Sequence, residues 1–534
     1  MVSQSIGIKE SGNKSQAEGF LERRAMLLAA GIVLLAAAVR LGIAPTVTLD
    51  GDESEVITLI RSSPGELLTG KAVDLSHPPG HPLVLWIVRH MFGENVLLYR
   101  AVQSVLATLT VVMVMAICRL LVPRAGIWLG VGLLMAVNPM LVMLSLLIRP
   151  YAVELLLLSL ATWAMLRWRR DRRLWSLVVY VLAIVAVFNV HYGSVFFWAA
   201  LGLWWLWDSR RSKRQLTETV VANLVALVLI LPTVRFMMWQ IHMSGLILNV
   251  AVWTYHTVGF PYYFICGGSL AHPEYCPLWL IITTVIPLAV VLIPSLLAGL
   301  WAVWKTVEAR GFVLAILFLP FLFMMAMSLH KPFFASRYIA TIWPMFALTL
   351  VLGLSTFRLR IRAAAFVFLV LLELIGCVSY AARYADMYPP FLTPTLEAYG
   401  GQHFGLIAYP DPRPLIVQSS KPSLILRINN RTLPKLVVSV YPDPPANYVK
   451  DHLLPEWDLS TLLASGLPEE LWFYCDSRPE SQHDKALKVL EQTKQMLSGP
   501  YRLEKTWYWP NEQKAKIYLL KFRRPESPAS RESS

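Results

Sequence analysis

Apolar windows of about twenty nearly uncharged residues recur through the first 382 positions. They fall near 25–44, 97–121, 126–147, 151–167, 174–191, 193–207, 217–237, 278–304, 311–329, 338–357 and 363–382. A helix needs about 20 such residues to cross a hydrocarbon layer ~30 Å thick. Repetition on this scale predicts a polytopic α-helical membrane protein with about eleven transmembrane helices. A chain of 534 residues that is 56% hydrophobic and 15% charged has too little polar surface for a large soluble fold. The first window follows a 24-residue polar segment and lacks a small-residue cleavage site. It reads as a retained helix, with 1–24 as a cytoplasmic N-terminal segment.

The net charge of +14 raises nucleic acid as a partner, and its distribution excludes it. Residues 1–382 carry +12 and residues 383–534 only +2. The excess sits in short clusters between windows: Arg23-Arg24, Arg167 to Arg173, Arg210 to Arg214, and Arg358, Arg360 and Arg362. Lys and Arg collect on cytoplasmic loops, so the amino terminus is expected inside. Eleven crossings then carry the C-terminal region out of the cytoplasm. The outer loops are 45–96, 148–150, the turn near 192, 238–277 and 330–337.

After about residue 383 the composition changes. Prolines cluster, and short β-like runs appear at 435–440 and 517–520. Residues 482–497 place Leu487, Leu490 and Leu497 at helical spacing. The expected domains are a transmembrane catalytic domain over 25–382, containing outer loop 45–96, and a soluble extracytoplasmic α/β domain over 383–534. Within the loop, 82–92 is apolar with two basic positions and suits a helix lying in the interface. Cys118 and Cys377 fall in apolar windows as packing residues. Cys266 and Cys276 share one outer loop, close enough in sequence for a disulfide.

Acid is scarce in the membrane region and is gathered in one place. Of 17 Asp and Glu among residues 1–382, seven lie between Asp50 and Glu94. A carboxylate beside the bilayer is costly unless it is used. In the adjacent pair Asp52-Glu53, one side chain can act as a base while the other binds a cation or a sugar hydroxyl. The alternative is a solvated turn, since Asp-Gly-Asp is good turn chemistry. His77 opens a His-Pro-Pro-Gly-His segment that stiffens the chain where it returns to the membrane. Arg149-Pro150-Tyr151 and His191-Tyr192 interrupt apolar windows on the same outer side. Lys331, Arg337 and Tyr338 share another outer loop, whose two cations suit a phosphate that Arg can grip through two hydrogen bonds. The other readings are a rigid interfacial corner for the His77 segment, an aromatic belt for the rings of Tyr151, His191 and Tyr192, and contact with lipid headgroups for Arg149, Lys331 and Arg337. Their collection on one side of the membrane favours a site.

The combination resembles glycosyltransferase family 39, the protein mannosyltransferase and aminoarabinose transferase group of the GT-C superfamily. The residues that carry the resemblance are Asp52-Glu53 after the first window, His77-Pro78-Pro79 with the following apolar run and Phe92-Gly93, Arg100, Arg149-Pro150-Tyr151, His191-Tyr192 and Arg337-Tyr338. They cover about 25–360. The resemblance implies a polyprenyl-phosphate sugar as donor, bound from the lipid bilayer, and transfer on the outer face to an acceptor protein, glycan or lipid. It implies Asp52 as catalytic base with Glu53 beside it. Lys331, Arg149, Tyr151, Arg337 and Tyr338 would hold the donor phosphate, and His77, His191 and Tyr192 complete the site. Aminoarabinose transferases differ where this chain has His-Pro-Pro, which disfavours lipid A modification. The setting expected is a bacterial inner membrane. A divalent metal would find Glu53 as a ligand, with no His-rich cluster to complete its shell. An oligosaccharyl or lipid A transferase of the same fold is one alternative. A transporter or flippase of lipid-linked substrates is another, and it would predict mid-span charges and repeat symmetry; the chain shows no repeat.

Overall fold

Each apolar window folds as helix, because a backbone in lipid must satisfy its own hydrogen bonds. The computed structural model describes residues 4–47, 51–71, 77–244, 265–266, 278–328 and 336–384. In the C-terminal region it describes 404–409, 422–428, 437–441, 456–458, 468–476, 483–509 and 517–525. Two compact units emerge: Met1–Val47 with Ser76–His81 and Met91–Tyr384, and Thr48–Leu75 with Pro82–His90 and Ala385–Ser534.

In chain order the helices begin with α1 (Gln4–Ile43). Three short helices follow in the first loop: α2 (Gly51–Leu59), α3 (Pro64–Thr69) and α4 (Gly80–Phe92). The apolar stretch expected to be helical at 82–92 is therefore α4. Next come α5 (Val96–Leu121), α6 (Ala125–Val137), α7 (Pro139–Leu146), α8 (Tyr151–Asp171), α9 (Leu174–Phe188), α10 (Ser194–Ser209) and α11 (Lys213–Ser244). The series continues with α12 (Leu278–Thr306), α13 (Arg310–Ser328), α14 (Trp343–Leu354) and α15 (Leu359–Tyr384). Eight helices among the described residues are long and apolar enough to cross a membrane, and the bent pair α6–α7 makes a ninth. The windows expected at 174–191 and 193–207 are helices of 15 and 16 residues. The protein is thus an integral, multi-pass membrane protein, with eleven as the expected rather than the observed count.

The break between α6 and α7 follows from Asn138-Pro139. Proline lacks an N–H and disfavours helix at the residue before it. The two helices meet at 54°. Asn138 caps α7 by accepting from the Leu141 N–H at 3.0 Å. The orphaned carbonyls of α6 are met from α1: the Arg40 guanidinium donates to Ala136 O at 2.8 Å and Met135 O at 3.2 Å, and also to Ala36 O at 3.0 Å. From α15, Glu373 Oε1 accepts from Asn138 Nδ2 at 2.8 Å, and Cys377 Sγ donates to Val137 O at 3.1 Å. Arg40, Asn138 and Glu373 are all buried. Elsewhere α12 and α14 meet backbone to backbone. A Cβ on Gly299 or Gly353 would overlap the main chain of the opposite helix, as small residues at membrane helix contacts allow.

The first loop starts its helices with local chemistry. Asp52 and Glu53 fall in the first turn of α2, where negative charge suits the helix dipole. Ser63 and Glu66 form a reciprocal capping box on α3, with Pro64 following the cap and Gly70 left-handed at its end.

The C-terminal region holds a seven-stranded sheet in the order β4-β3-β2-β1-β5-β7-β6. The strands are β1 (Phe404–Tyr409), β2 (Pro422–Ile428), β3 (Val437–Tyr441), β4 (Glu456–Asp458), β5 (Glu470–Asp476), β6 (Arg502–Trp509) and β7 (Ile517–Arg523). β1 runs parallel to β2 and β5, and the remaining pairs are antiparallel. The runs expected at 435–440 and 517–520 become β3 and β7, and the amphipathic stretch at 482–497 becomes α16 (His483–Ser498). Ala486, Val489, Leu490 and Leu497 of α16 bury against Leu471, Phe473 and Cys475 of β5 and against Leu520 and Phe522 of β7. Strand alternation puts Trp472 on the other face, stacked on Trp507 at 5.1 Å.

Candidate functional site

The breaks in the helices place the polar residues. Asn95 caps α5, accepting from the Leu97 and Leu98 N–H groups. Arg100 and Gln103 follow, one turn apart on the same face. Arg100 donates to the carbonyls of Ala44 and Val47 just beyond α1. Gln103 Nε2 donates to Arg149 O at 3.2 Å and lies 2.6 Å from His81 Nε2. Arg149 is held between α7 and α8, because Pro150 caps α8 and ends the preceding backbone run.

The segment containing His77 is pinned at both ends. The Gly80 N–H donates to Asn189 O at 2.9 Å, and a Cβ at Gly80 would overlap that carbonyl, so this approach requires glycine. On α11, Gln240 Nε2 donates to His77 O at 2.9 Å, and Gln240 Oε1 accepts from the Tyr192 hydroxyl at 2.5 Å.

Two imidazoles form the centre. His77 stacks on His191 with centroids 5.4 Å apart. Arg149 Nη2 donates to His77 Nδ1 at 3.2 Å, so the His77 proton sits on Nε2. Tyr151 meets His191 edge to face and Tyr338 lies tilted against it, each with centroids 5.7 Å away. Glu154 Oε1 lies 2.9 Å from His191 Nδ1. That contact is close but not aligned as a hydrogen bond, because His191 Nδ1 has no bonded partner. The His191 ring packs over Gly193, where a Cβ would come within 2.7 Å of it. His77, Arg149, Tyr151, Glu154 and His191 are all less than a tenth exposed. Arg337 is exposed and sits 5.4 Å over the Tyr338 ring. Its charge and that of Arg149 both reach Tyr151.

Six expected site residues are therefore brought together: His77, Arg149, Tyr151, His191, Tyr192 and Tyr338, with Arg337 at the edge. Lys331 lies outside the described residues, as does Cys276; Cys266 is buried. Asp52 belongs to α2, and its side chain is not among those described. Glu53 is 0% exposed on the same helix, so its own carboxyl is not part of a solvated turn. Among the described residues no three His, Cys, Asp or Glu side chains gather as a metal site.

Sequence reasoning missed Glu154, Gln103, His81 and Gln240 as members of this cluster. Glu154 had a signal: it is a carboxylate inside an apolar run, three residues after Tyr151 and on its helical face. Gln103 and Gln240 had none, since their partners are 22 to 163 positions away.

Chemically, two guanidiniums can neutralise an anion, and the paired imidazoles can hold or relay a proton. The Tyr151 and Tyr338 rings offer a surface against which a sugar can stack.

A family model described as dolichyl-phosphate-mannose-protein mannosyltransferase matches residues 76–239, which include His77, Arg149, Tyr151, Glu154, His191 and Tyr192. No curated protein matches the chain in sequence. Among solved structures, ArnT from Cupriavidus metallidurans bound to undecaprenyl phosphate is 13% identical. It superposes with a TM-score of 0.57 over 93% of this chain and 97% of that one. The apo state of the same protein gives 12%, 0.56, 95% and 98%. The S. cerevisiae protein O-mannosyltransferase Pmt1-Pmt2 complex bound to the sugar donor is 19% identical over 47% of this chain and 36% of that one, with a TM-score of 0.34. At these identities the two ArnT structures establish a shared fold.

Proposed function

From a chain that is a glycosyltransferase family 39-like protein with the GT-C fold, we propose an enzyme that moves a sugar from a polyprenyl-phosphate donor to an acceptor. Transfer takes place on the outer face of a bacterial inner membrane, with residues 383–534 on that side. The observation that carries this reading is the convergence of His77, Arg149, Tyr151, His191, Tyr192 and Tyr338 around two stacked imidazoles, from segments far apart in sequence. A purely structural cluster would not need so many rings and cations facing one another. The family match and the ArnT fold support the same class of donor.

In this reaction the acceptor hydroxyl oxygen attacks the anomeric carbon. The bond from that carbon to the phosphate oxygen breaks, and the lipid phosphate leaves with the electron pair. The configuration inverts, and the hydroxyl proton passes to a carboxylate. Asp52 is the base, worth about 10² to 10⁴ in rate. Glu53 stands beside it in the first turn of α2. Arg149 and Arg337, with Lys331, stabilise charge developing on the departing phosphate. Tyr151 and Tyr338 position the sugar, while His77, His191 and Tyr192 fix the geometry of the cationic groups.

The test uses purified full-length protein with a panel of radiolabelled polyprenyl-phosphate sugars and the Asp52→Asn variant. That variant should bind donor normally and lose about two to four orders of magnitude in turnover. Normal turnover with donor binding intact would remove Asp52 as base. Failure of every donor to react with wild-type protein would overturn the reading itself.

A further inference from the structure

A second feature lies at the far end of the helical bundle from the imidazole pair. α5 carries Arg100 and Gln103 at its start and spans about 39 Å, at 1.5 Å per residue, to its other end. Three residues past that end, Arg124 opens α6. Between α1, α6, α14 and α15 runs a groove of about 650 Å³. Its walls are apolar, including Leu28 and Ile32 of α1 and Phe366 of α15. Its floor is low at Gly126, where a side chain would meet nothing, while Gly130 one turn on lets Val351 and Phe366 close in on α6. At one end it turns cationic: Arg124 and Arg362 line it, with the Ser355 hydroxyl.

Those two arginines are not spent on the fold. Among the described residues neither side chain pairs with a carboxylate, in contrast to Arg119, which binds Glu22 at 2.6 Å. No acidic residue lines the groove. Arg124 gives α6 no side-chain cap, and Arg362 stands in the first turn of α15. The positive ends of α6 and α15 therefore add to the two guanidiniums. An apolar trough on a membrane-spanning bundle, closed at one end by two unpaired cations, matches an amphiphile with acyl chains and one anionic phosphate.

We propose that this groove is a binding site for an anionic glycerophospholipid. The acyl chains lie over Gly126 and along the apolar walls, and the headgroup phosphate sits between Arg124 and Arg362. The lipid occupies the leaflet opposite the candidate active site, so it is a resident lipid and not the glycosyl donor. It joins α1 to α14 and α15, the helices whose Arg40 and Glu373 hold the broken α6–α7 pair.

Native mass spectrometry and thermal melting of the full-length protein in mild detergent test this, with phosphatidylglycerol and phosphatidylcholine as probes. Phosphatidylglycerol should bind about tenfold more tightly, as two membrane-surface arginines imply. Arg124→Gln with Arg362→Gln should equalise the two lipids, while Arg362→Lys alone should keep the preference. Gly126→Leu should weaken both lipids, since a side chain there enters open space without a clash. Arg211→Gln, an exposed charge outside the groove, should change nothing. Equal affinities in wild-type protein would overturn the site. So would a preference that survives the double variant, or one that Arg211→Gln abolishes equally. Unchanged retention of both lipids in Gly126→Leu would remove the groove as the seat of the acyl chains.

Discussion

Two buried polar clusters occupy the membrane unit, and they differ in what their side chains address. Around the α6–α7 break, Arg40 gives its three hydrogen bonds to main-chain carbonyls, and Asn138 and Cys377 also bond the backbone. Around His77 and His191, rings and charges address mainly one another, with Arg149 just before α8, Tyr151 and Glu154 on α8, and Tyr338 just before α14 converging. The first cluster completes a fold that proline has interrupted. The second holds rings and charges in register, with Gln103 and Gln240 turned to the main chain, at the Arg149 and His77 carbonyls. In a membrane protein, charge inside the bilayer is a functional signal by default. The contrast shows that the partner decides whether the default holds.

Substitutions should separate the clusters. The largest effect is expected at Arg40. Arg40→Met strips the Met135 and Ala136 carbonyls of their donors, and the loss of charged hydrogen bonds in lipid should cost about 3 kcal/mol or more. The readout is the unfolding midpoint in detergent, while the protein that stays folded should bind donor normally. Arg149→Ala should do the reverse, cutting transfer by about 10²-fold through loss of phosphate stabilisation, with a much smaller shift in the midpoint. A large stability loss at Arg149 with normal turnover would place it with the structural cluster. Glu154→Gln keeps shape and removes charge, so a drop of about tenfold in single-turnover rate is expected if it orients His191. Rate and stability falling together would mark Glu154 as packing.

The exposed capping box of α3 supplies the smallest effect. Ser63 N–H and hydroxyl donate to Glu66 and hold its carboxyl below the usual carboxylate range. A lowered carboxyl pKa stabilises above the unfolded value and is lost as pH falls through the folded one. The α3 turn should therefore loosen only in acid, as amide exchange would record. Glu66→Gln should remove that pH dependence.

Much of this was legible in the sequence, for identifiable reasons. Apolar windows announce helices because lipid leaves the backbone no other solution. The short β-like run at 517–520 and the helical spacing in 482–497 similarly predicted β7 and α16. Six of the residues that cluster could be named because they sit at or beside interruptions of the apolar windows, where composition changes abruptly. The bend at Asn138-Pro139 carried a proline signal within the window 126–147, yet that window reads as one unbroken span. The short helices α9 and α10 show that apolarity can persist through the turns that end a helix before it reaches 18 residues. Gln103 and Gln240 were invisible, because a glutamine acquires meaning only from the distant group it bonds.

The Arg40 contacts also bear on how the chain is made. Arg40 is synthesised 95 residues before Met135, so α1 enters the bilayer while its acceptors do not yet exist. Only three residues separate Arg40 from the end of α1 at Ile43, which lets the side chain snorkel to the headgroups in the interim. When α6 arrives and breaks at Pro139, its bare carbonyls draw the guanidinium inward. The first helix then moves from a provisional anchor to a locked element, and the arginine serves as a latch that closes only after α6 has been inserted.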